Sequence, residues 1–226
     1  MRAGIQAVIF DLDGTLLDRR RSFESFVRHQ WQRFEHGLRT ADQEHYVRTL
    51  VELDGDGYAP RHSLFTGVVT TFGLAPGLAT TLLDDYRAAF PGACLLFPDA
   101  IDTLVHLRRA GVKIGLITNG SVRMQQRKLD CLGLSPLFDT ILISDAEGVS
   151  KPDGEIFQRA LARLHTDATA AVFVGDHPEL DIAGARAAGM QAIWRRDPAR
   201  LQTVEADAIV DELSDLLAWL GLKYQP

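Results

Sequence analysis

Short runs rich in Val, Ile and Leu recur along the chain at residues 6 to 10, 113 to 117, 140 to 144, 171 to 174 and 191 to 194. Each is apolar at successive positions rather than at alternating ones, the pattern of strands buried on both faces of a parallel sheet. The segments between the later runs carry helical periodicity and helix punctuation. Pro98-Asp99 precedes Ile101, Leu104, Val105 and Leu107, and Gly111 closes that helix; Pro152 to Leu164 and Pro178 to Ala188 repeat the arrangement. Strands alternating with helices of this length predict an α/β fold, a doubly wound, Rossmann-like parallel sheet whose ligands sit at the carboxyl ends of the strands.

Residues 17–91 break the alternation with four helical periodicities in succession and no strand pattern. Phe23, Phe26, Val27, Trp31 and Phe34 share one face, and Tyr46, Val47, Leu50 and Val51 a second. Leu64, Phe65, Val68, Val69 and Phe72 form a third, and Leu82, Leu83, Tyr86 and Phe90 a fourth. Asp54-Gly55-Asp56-Gly57 and Gly73-Leu74-Ala75-Pro76-Gly77 have the composition of turns between them. The expected division is an α/β catalytic core of residues 1–16 and 92–226 interrupted by an all-helical domain at 17–91. Inserted directly after the first strand, this domain is expected to cap the carboxyl edge of the sheet. Arg19, Arg20, Arg21, Arg61 and His62 are polar groups of the insert able to meet a second anionic group on a substrate, but solvated surface is the better reading.

Composition narrows the possibilities. With 46% hydrophobic and 24% charged residues in 226, the chain is an ordinary globular protein. A formal net charge of -6 with no basic run longer than Arg19-Arg20-Arg21 disfavours nucleic acid and membrane surfaces as partners. Cys94 and Cys131 are too few for a disulfide framework and lack zinc-ligand neighbours, so a reducing cytoplasm is the simplest compartment. No secretory signal is expected from an N-terminus that runs so soon into the first strand, and no segment is long enough to span a bilayer.

The chemistry-bearing residues gather at the ends of the predicted strands. The first ends in Phe10-Asp11-Leu12-Asp13-Gly14-Thr15, two carboxylates two residues apart. Their repulsion and desolvation call for a cation or a shared proton, and magnesium fits as a hard ion that combines few carboxylates with phosphate and water. A solvated pair leading into a turn is the plainer alternative. The second strand ends in Thr118-Asn119-Gly120, groups able to hold phosphoryl oxygens or simply to cap the helix expected from Ser121. Lys151 follows the third strand and is either a surface lysine or a cation that neutralises a carboxylate or a transferring phosphoryl group. Asp176 follows the fourth strand as a natural metal ligand, while Asp181, in the first helical turn, serves equally as support for a metal site or as a favourable charge at a helix start. His177 and Glu179 read as loop and helix-start residues. Four successive strand ends offering groups suited to metal-assisted phosphoryl transfer make coincidence a poor explanation.

The order Asp11-x-Asp13-x-Thr15, Thr118, Lys151 and Gly175-Asp176-x-x-x-x-Asp181 resembles the four motifs of the haloacid dehalogenase-like hydrolase superfamily, over nearly the whole chain. The helical insert is similar to that family's cap, and Thr118-Asn119-Gly120 with Gln125 and Lys128-Leu129 resembles its phosphatase branch. The resemblance implies a cytoplasmic, Mg2+-dependent phosphatase of small phosphorylated metabolites such as sugar phosphates, phosphoglycolate or nucleoside monophosphates. It implies Asp11 as nucleophile, forming an aspartyl-phosphate, and Asp13 as general acid and then base. It places magnesium on Asp11, the backbone carbonyl of Asp13 and Asp176, with Asp181 in support. Thr118 and the Asn119 amide would hold phosphoryl oxygens, and Lys151 would stabilise the nucleophile and the transferring group. Oligomeric state stays open.

Other readings compete. A dehalogenase of the same superfamily has little need for the acid at Asp13. A phosphomutase resembling β-phosphoglucomutase would carry a cap histidine soon after the first motif, and here none precedes His29. A signalling receiver domain would not carry a large helical insert at this point. A non-catalytic phosphate-binding or regulatory protein would have no use for Asp11, Asp13, Lys151 and Asp176 together.

Overall fold

The computed structural model of the chain describes residues 4–38, 42–197 and 203–222. Six strands, β1 (Ala7–Phe10), β2 (Lys113–Thr118), β3 (Thr140–Ile143), β4 (Ala171–Gly175), β5 (Gln191–Arg195) and β6 (Ala208–Val210), form one sheet in the order β3-β2-β1-β4-β5-β6. Every pairing is parallel. All residues of β1 and β4 are buried, which is why these strands read as unbroken apolar runs. The chain winds from β1 through β2 to β3, then returns to the opposite side of β1 to lay down β4, so the carboxyl ends of β1, β2 and β4 flank the switch point. Phe10 is level with Leu116 on one side and Val174 on the other, and the Asp11 N–H continues the ladder to the Val174 carbonyl at 2.9 Å.

Three features depart from the expected elements. The edge strand β6 spans three residues, too short for any periodicity to announce it, and pairs Val210 with Arg195. The helix expected from Pro152 begins at Gly154, with the Asp153 carboxylate accepting the Glu155 N–H at 2.9 Å. The helix expected from Pro178 opens as a π-helix, Pro178–Ala183, before an α-helical turn, Gly184–Ala187. There the Asp181 and Ile182 N–H groups both donate to the His177 carbonyl, at 3.0 and 3.2 Å. The widened turn leaves Asp181 close enough to reach back to the strand end.

The chain divides into two compact units, residues 1–17 with 96–226, and residues 18–95. In the second, helices Arg19–Arg33, Gln43–Asp54, Arg61–Thr71 and Leu78–Ala89 bury Phe23, Phe26, Tyr46, Leu50, Phe65, Val68, Leu82 and Tyr86. Trp31, Phe34, Val51 and Phe72 are only half-buried. Gln30 occupies the interior beside Trp31, donating to the Leu82 carbonyl and to Asp85, both at 2.9 Å, and accepting from the Tyr46 hydroxyl at 3.3 Å. The surface reading of the arginines needs correction. Arg19 is 5% exposed and donates to Asp54 at 2.9 Å, with its guanidinium 4.8 Å from the Phe23 ring centre and 4.7 Å from that of Phe90. Arg61 pairs with the same carboxylate oxygen and lies over Tyr86 at 5.4 Å. Aromatic faces and a buried acid, the latter in a stretch that reads as a turn, keep the Arg19 charge inside and hold Arg61 half-buried beside it. Arg20, Arg21 and His62 are exposed. Among the described residues no helix is long and apolar enough to cross a membrane.

Asp54 is the acid on which both guanidinium groups converge, and breaking a buried pair leaves the remaining charge uncompensated. Asp54→Ala is expected to cost about 3 kcal/mol of stability, read as a lowered denaturation midpoint in urea. An unchanged midpoint would show that the arginines find solvent instead.

Candidate active site

Four strand ends contribute the polar groups. Asp11 follows β1, Thr118 ends β2, Lys151 lies on the loop beyond β3, and Asp176 follows β4. The Lys151 ammonium donates to Asp11 Oδ1 and Asp181 Oδ1, both at 2.6 Å, and all three side chains are buried. The other oxygen of Asp181 accepts the His177 N–H at 2.9 Å. One carboxylate oxygen from each of Asp11, Asp176 and Asp181 lies within 4.8 Å of the others.

Two glycines make this crowding possible. A Cβ on Gly175 would lie 2.4 Å from the Cβ of Asp181, and one on Gly14, whose φ is +91°, would lie 2.5 Å from Asp176 Oδ2. Any larger residue would push an acid out of the cluster. The donors that these three side chains present are all hard oxygens, and Gly14 and Gly175 leave the room in which they meet. That donor set fits Mg2+ and does not fit a soft transition ion.

Burial pushes the Asp11 carboxyl up to about 7, against the pull of the Lys151 ammonium and with the help of the neighbouring Asp181 charge. Burial works to lower the Lys151 ammonium, but the charges of Asp11 and Asp181 outweigh it and hold the lysine above its ordinary value. The lysine is thus a permanent cation.

Asp13 faces different company. Both its oxygens receive the Lys128 ammonium, at 2.7 and 2.8 Å, and Oδ2 also accepts from Gln125 Nε2 at 2.8 Å. Gln125 Nε2 lies 2.5 Å from Thr118 Oγ1 as well, linking the ends of β1 and β2. Both side chains come from the helix Val122–Cys131, whose start the Ser121 side chain caps through the Met124 N–H. Gln125 and Lys128 stand three residues apart and therefore on one face. The resemblance to the phosphatase branch singles out both residues in the sequence, but which acid they meet depends on where the helix docks. The Asn119 side chain is committed to the Lys151 backbone, donating to its carbonyl at 2.9 Å and accepting its N–H at 3.0 Å. Only its main chain is left for an incoming group. His177 caps the turn that follows it, its Nδ1 accepting the Glu179 and Leu180 N–H groups at 3.2 and 3.1 Å.

The structure therefore gathers Asp11, Lys151, Asp176 and Asp181 in one cluster and sets Asp13 and Thr118 beside it on the Gln125–Lys128 face. Asn119 joins the cluster indirectly, through the backbone of Lys151.

Known proteins resemble this chain at the level of sequence and of fold. The family model for haloacid dehalogenase-like hydrolases matches residues 5–189. The ribulose-1,5-bisphosphate 5-phosphatase of Halopiger xanaduensis is 34% identical over 198 residues, 83% of each chain. The glyceraldehyde 3-phosphate phosphatase of Methanopyrus kandleri is 34% identical over 199 residues, 84% of this chain and 83% of its own. The crystal structure of the putative HAD-hydrolase YfnB from Bacillus subtilis bound to magnesium superposes with a TM-score of 0.79 at 22% identity, over 98% of this chain and all of that one.

The charge balance around Asp11 is open to direct measurement. Its folded value of about 7 lies above the ordinary 3.8, so the folded protein holds the proton more tightly than the unfolded chain does. That contribution to stability is fully present below about 4 and is lost as pH rises through about 7. In chelator, the urea midpoint should therefore fall across this window more steeply for wild type than for Asp11→Asn. Parallel profiles for the two proteins would refute the raised value.

Proposed function

The chain belongs to the haloacid dehalogenase-like hydrolase family, and from that premise we propose that it is a magnesium-dependent phosphatase of a small phosphate monoester, acting through an aspartyl-phosphate on Asp11. The observation that carries this reading is the division of labour between two carboxylates of one loop. Asp11 lies in a dry cluster against a buried ammonium, while Asp13 is turned to Lys128 and Gln125. Neighbouring acids in contrasting environments suit separate roles. The phosphatase names of the two relatives, both of which act on phosphorylated sugars, support the same substrate class.

In this reading Asp11 attacks phosphorus in line and forms the carboxyl-phosphate, splitting one hard displacement into two easier ones. Lys151, fixed by Asp11, Asp181 and the Asn119 side chain, offsets charge on the nucleophile and the transferring group. Thr118 and the backbone amide of Asn119 receive phosphoryl oxygens. Asp13 gives a proton to the leaving alcohol, then takes one from the water that cleaves the phosphoaspartate. Lys128 and Gln125 hold its carboxylate for that second task. Asp11, Asp176 and the Asp13 carbonyl would hold magnesium, which supplies charge screening between nucleophile and phosphate. Asp181 supports that site through Lys151 and the His177 N–H. A dehalogenase would leave Asp13 and its two partners without a task.

Phosphate release from a panel of sugar phosphates, phosphoglycolate and nucleoside monophosphates tests the proposal. Wild type should turn over only with magnesium, and Asp11→Asn should be inactive in either condition. Full activity of Asp11→Asn would sink the covalent mechanism, and a folded wild type inert on a broad panel would sink the phosphatase reading. Lys128→Met removes a charge-assisted bond and is expected to lower kcat about tenfold with KM little changed. A change confined to KM would instead assign Lys128 to substrate binding.

A further inference from the structure

Trp194 is the largest of the fully buried side chains, and no motif points to it. It stands in β5 level with Gly175, its ring within the core cluster that contains Phe157 and Phe173. A buried indole needs a partner for its single polar atom. Here Nε1–H donates to the backbone carbonyl of Asp176 at 2.9 Å. That carbonyl shares a peptide unit with the His177 N–H, which donates to Asp181 Oδ2, also at 2.9 Å. The peptide that follows Asp176 is therefore held at both polar ends, on one side by the core and on the other by the acid that bridges to Lys151. With both polar ends bonded, the orientation of this peptide is fixed, and with it the backbone from which the Asp176 side chain projects. The next residue along β5 acts on the facing loop, since Arg195 donates to the Gly14 carbonyl at 3.3 Å and Gly14 is where a Cβ would strike Asp176.

We propose that Trp194 is a positioning residue for the metal centre, its indole N–H fixing the Asp176 peptide so that the carboxylate is set for magnesium before the ion arrives. The inference rests on the reading above only in taking Asp176 as a magnesium ligand. A donor anchored in the sheet core keeps the loop ordered without metal, so less order is lost on binding, and the effect belongs in magnesium affinity rather than in the chemical step.

Two substitutions test it. Trp194→Phe removes the donor and part of the ring, whereas replacing Trp194 by benzothienylalanine, with sulfur in place of the indole N–H, removes the donor and keeps the shape. Calorimetric titration of the substrate-free protein with magnesium should give a Kd about tenfold weaker in both. kcat should recover at saturating magnesium, a separation that general loosening of the core would not produce. If the benzothienylalanine protein binds magnesium as wild type does, whatever Trp194→Phe does, ring packing suffices and the proposal is overturned. A folded wild type that takes up no magnesium would overturn the metal-centre reading itself, and this inference with it.

Discussion

The ammonium of Lys151 sits between the carboxylates of Asp11 and Asp181, and the arrangement of the sheet's carboxyl edge follows from making that burial tolerable. A buried charge is costly unless paired and hydrogen-bonded, and losing one partner leaves the others stranded. Each member is accordingly tied down from a second direction. The Asn119 side chain holds the Lys151 backbone on both its donor and its acceptor, the His177 N–H holds Asp181, and the β1–β4 ladder continues through the Asp11 N–H. Gly175 is bare because Asp181 fills the space a side chain would take. One ion cluster thus governs Gly175 on β4 and the segments that follow β1, β2, β3 and β4.

The same constraint explains why two acids of one loop differ. Asp11 lies where the sheet is dry and its charge is balanced by a cation shared with a second acid. Asp13 is two residues further, where the backbone has left the strand and the helix Val122–Cys131 supplies the balancing lysine. Two residues of sequence thus separate acids that answer to different cations, Lys151 for Asp11 and Lys128 for Asp13.

What the sequence disclosed and what it withheld differ in range. Buried parallel strands announce themselves locally, and the residue after each was readable as a candidate because a strand end has a known direction. Asp11, Thr118 and Asp176 were legible in this way. Lys128 and Gln125 were not legible as partners of Asp13, because the bond joins residues 115 and 112 positions apart and depends on where a helix docks. Arg19 was misread because its counter-ion, Asp54, lies 35 residues away in a segment with turn composition. Trp194 looked like core, which it is; its polar edge gained meaning only once β5 lay beside β4.

The ends of the helical unit lie side by side, the Asp18 N–H donating to the Leu95 carbonyl at 2.9 Å, and Leu17 and Leu96 form a β-bridge just outside it. This bears on how the chain folds. β1 must find β2 across the whole intervening segment, and loop closure grows dearer with length, by about 0.6 kcal/mol for each doubling. Once the helices have condensed and brought residues 18 and 95 together, the tether between the two strands shrinks to residues 11–17 on one side and residues 96–112, which include the helix Ala100–Arg109, on the other. A unit rich in local contacts forms quickly. The insert is then a device that shortens the search for the central strand pairing, and a replacement of any size that keeps its two ends joined would leave that search equally short.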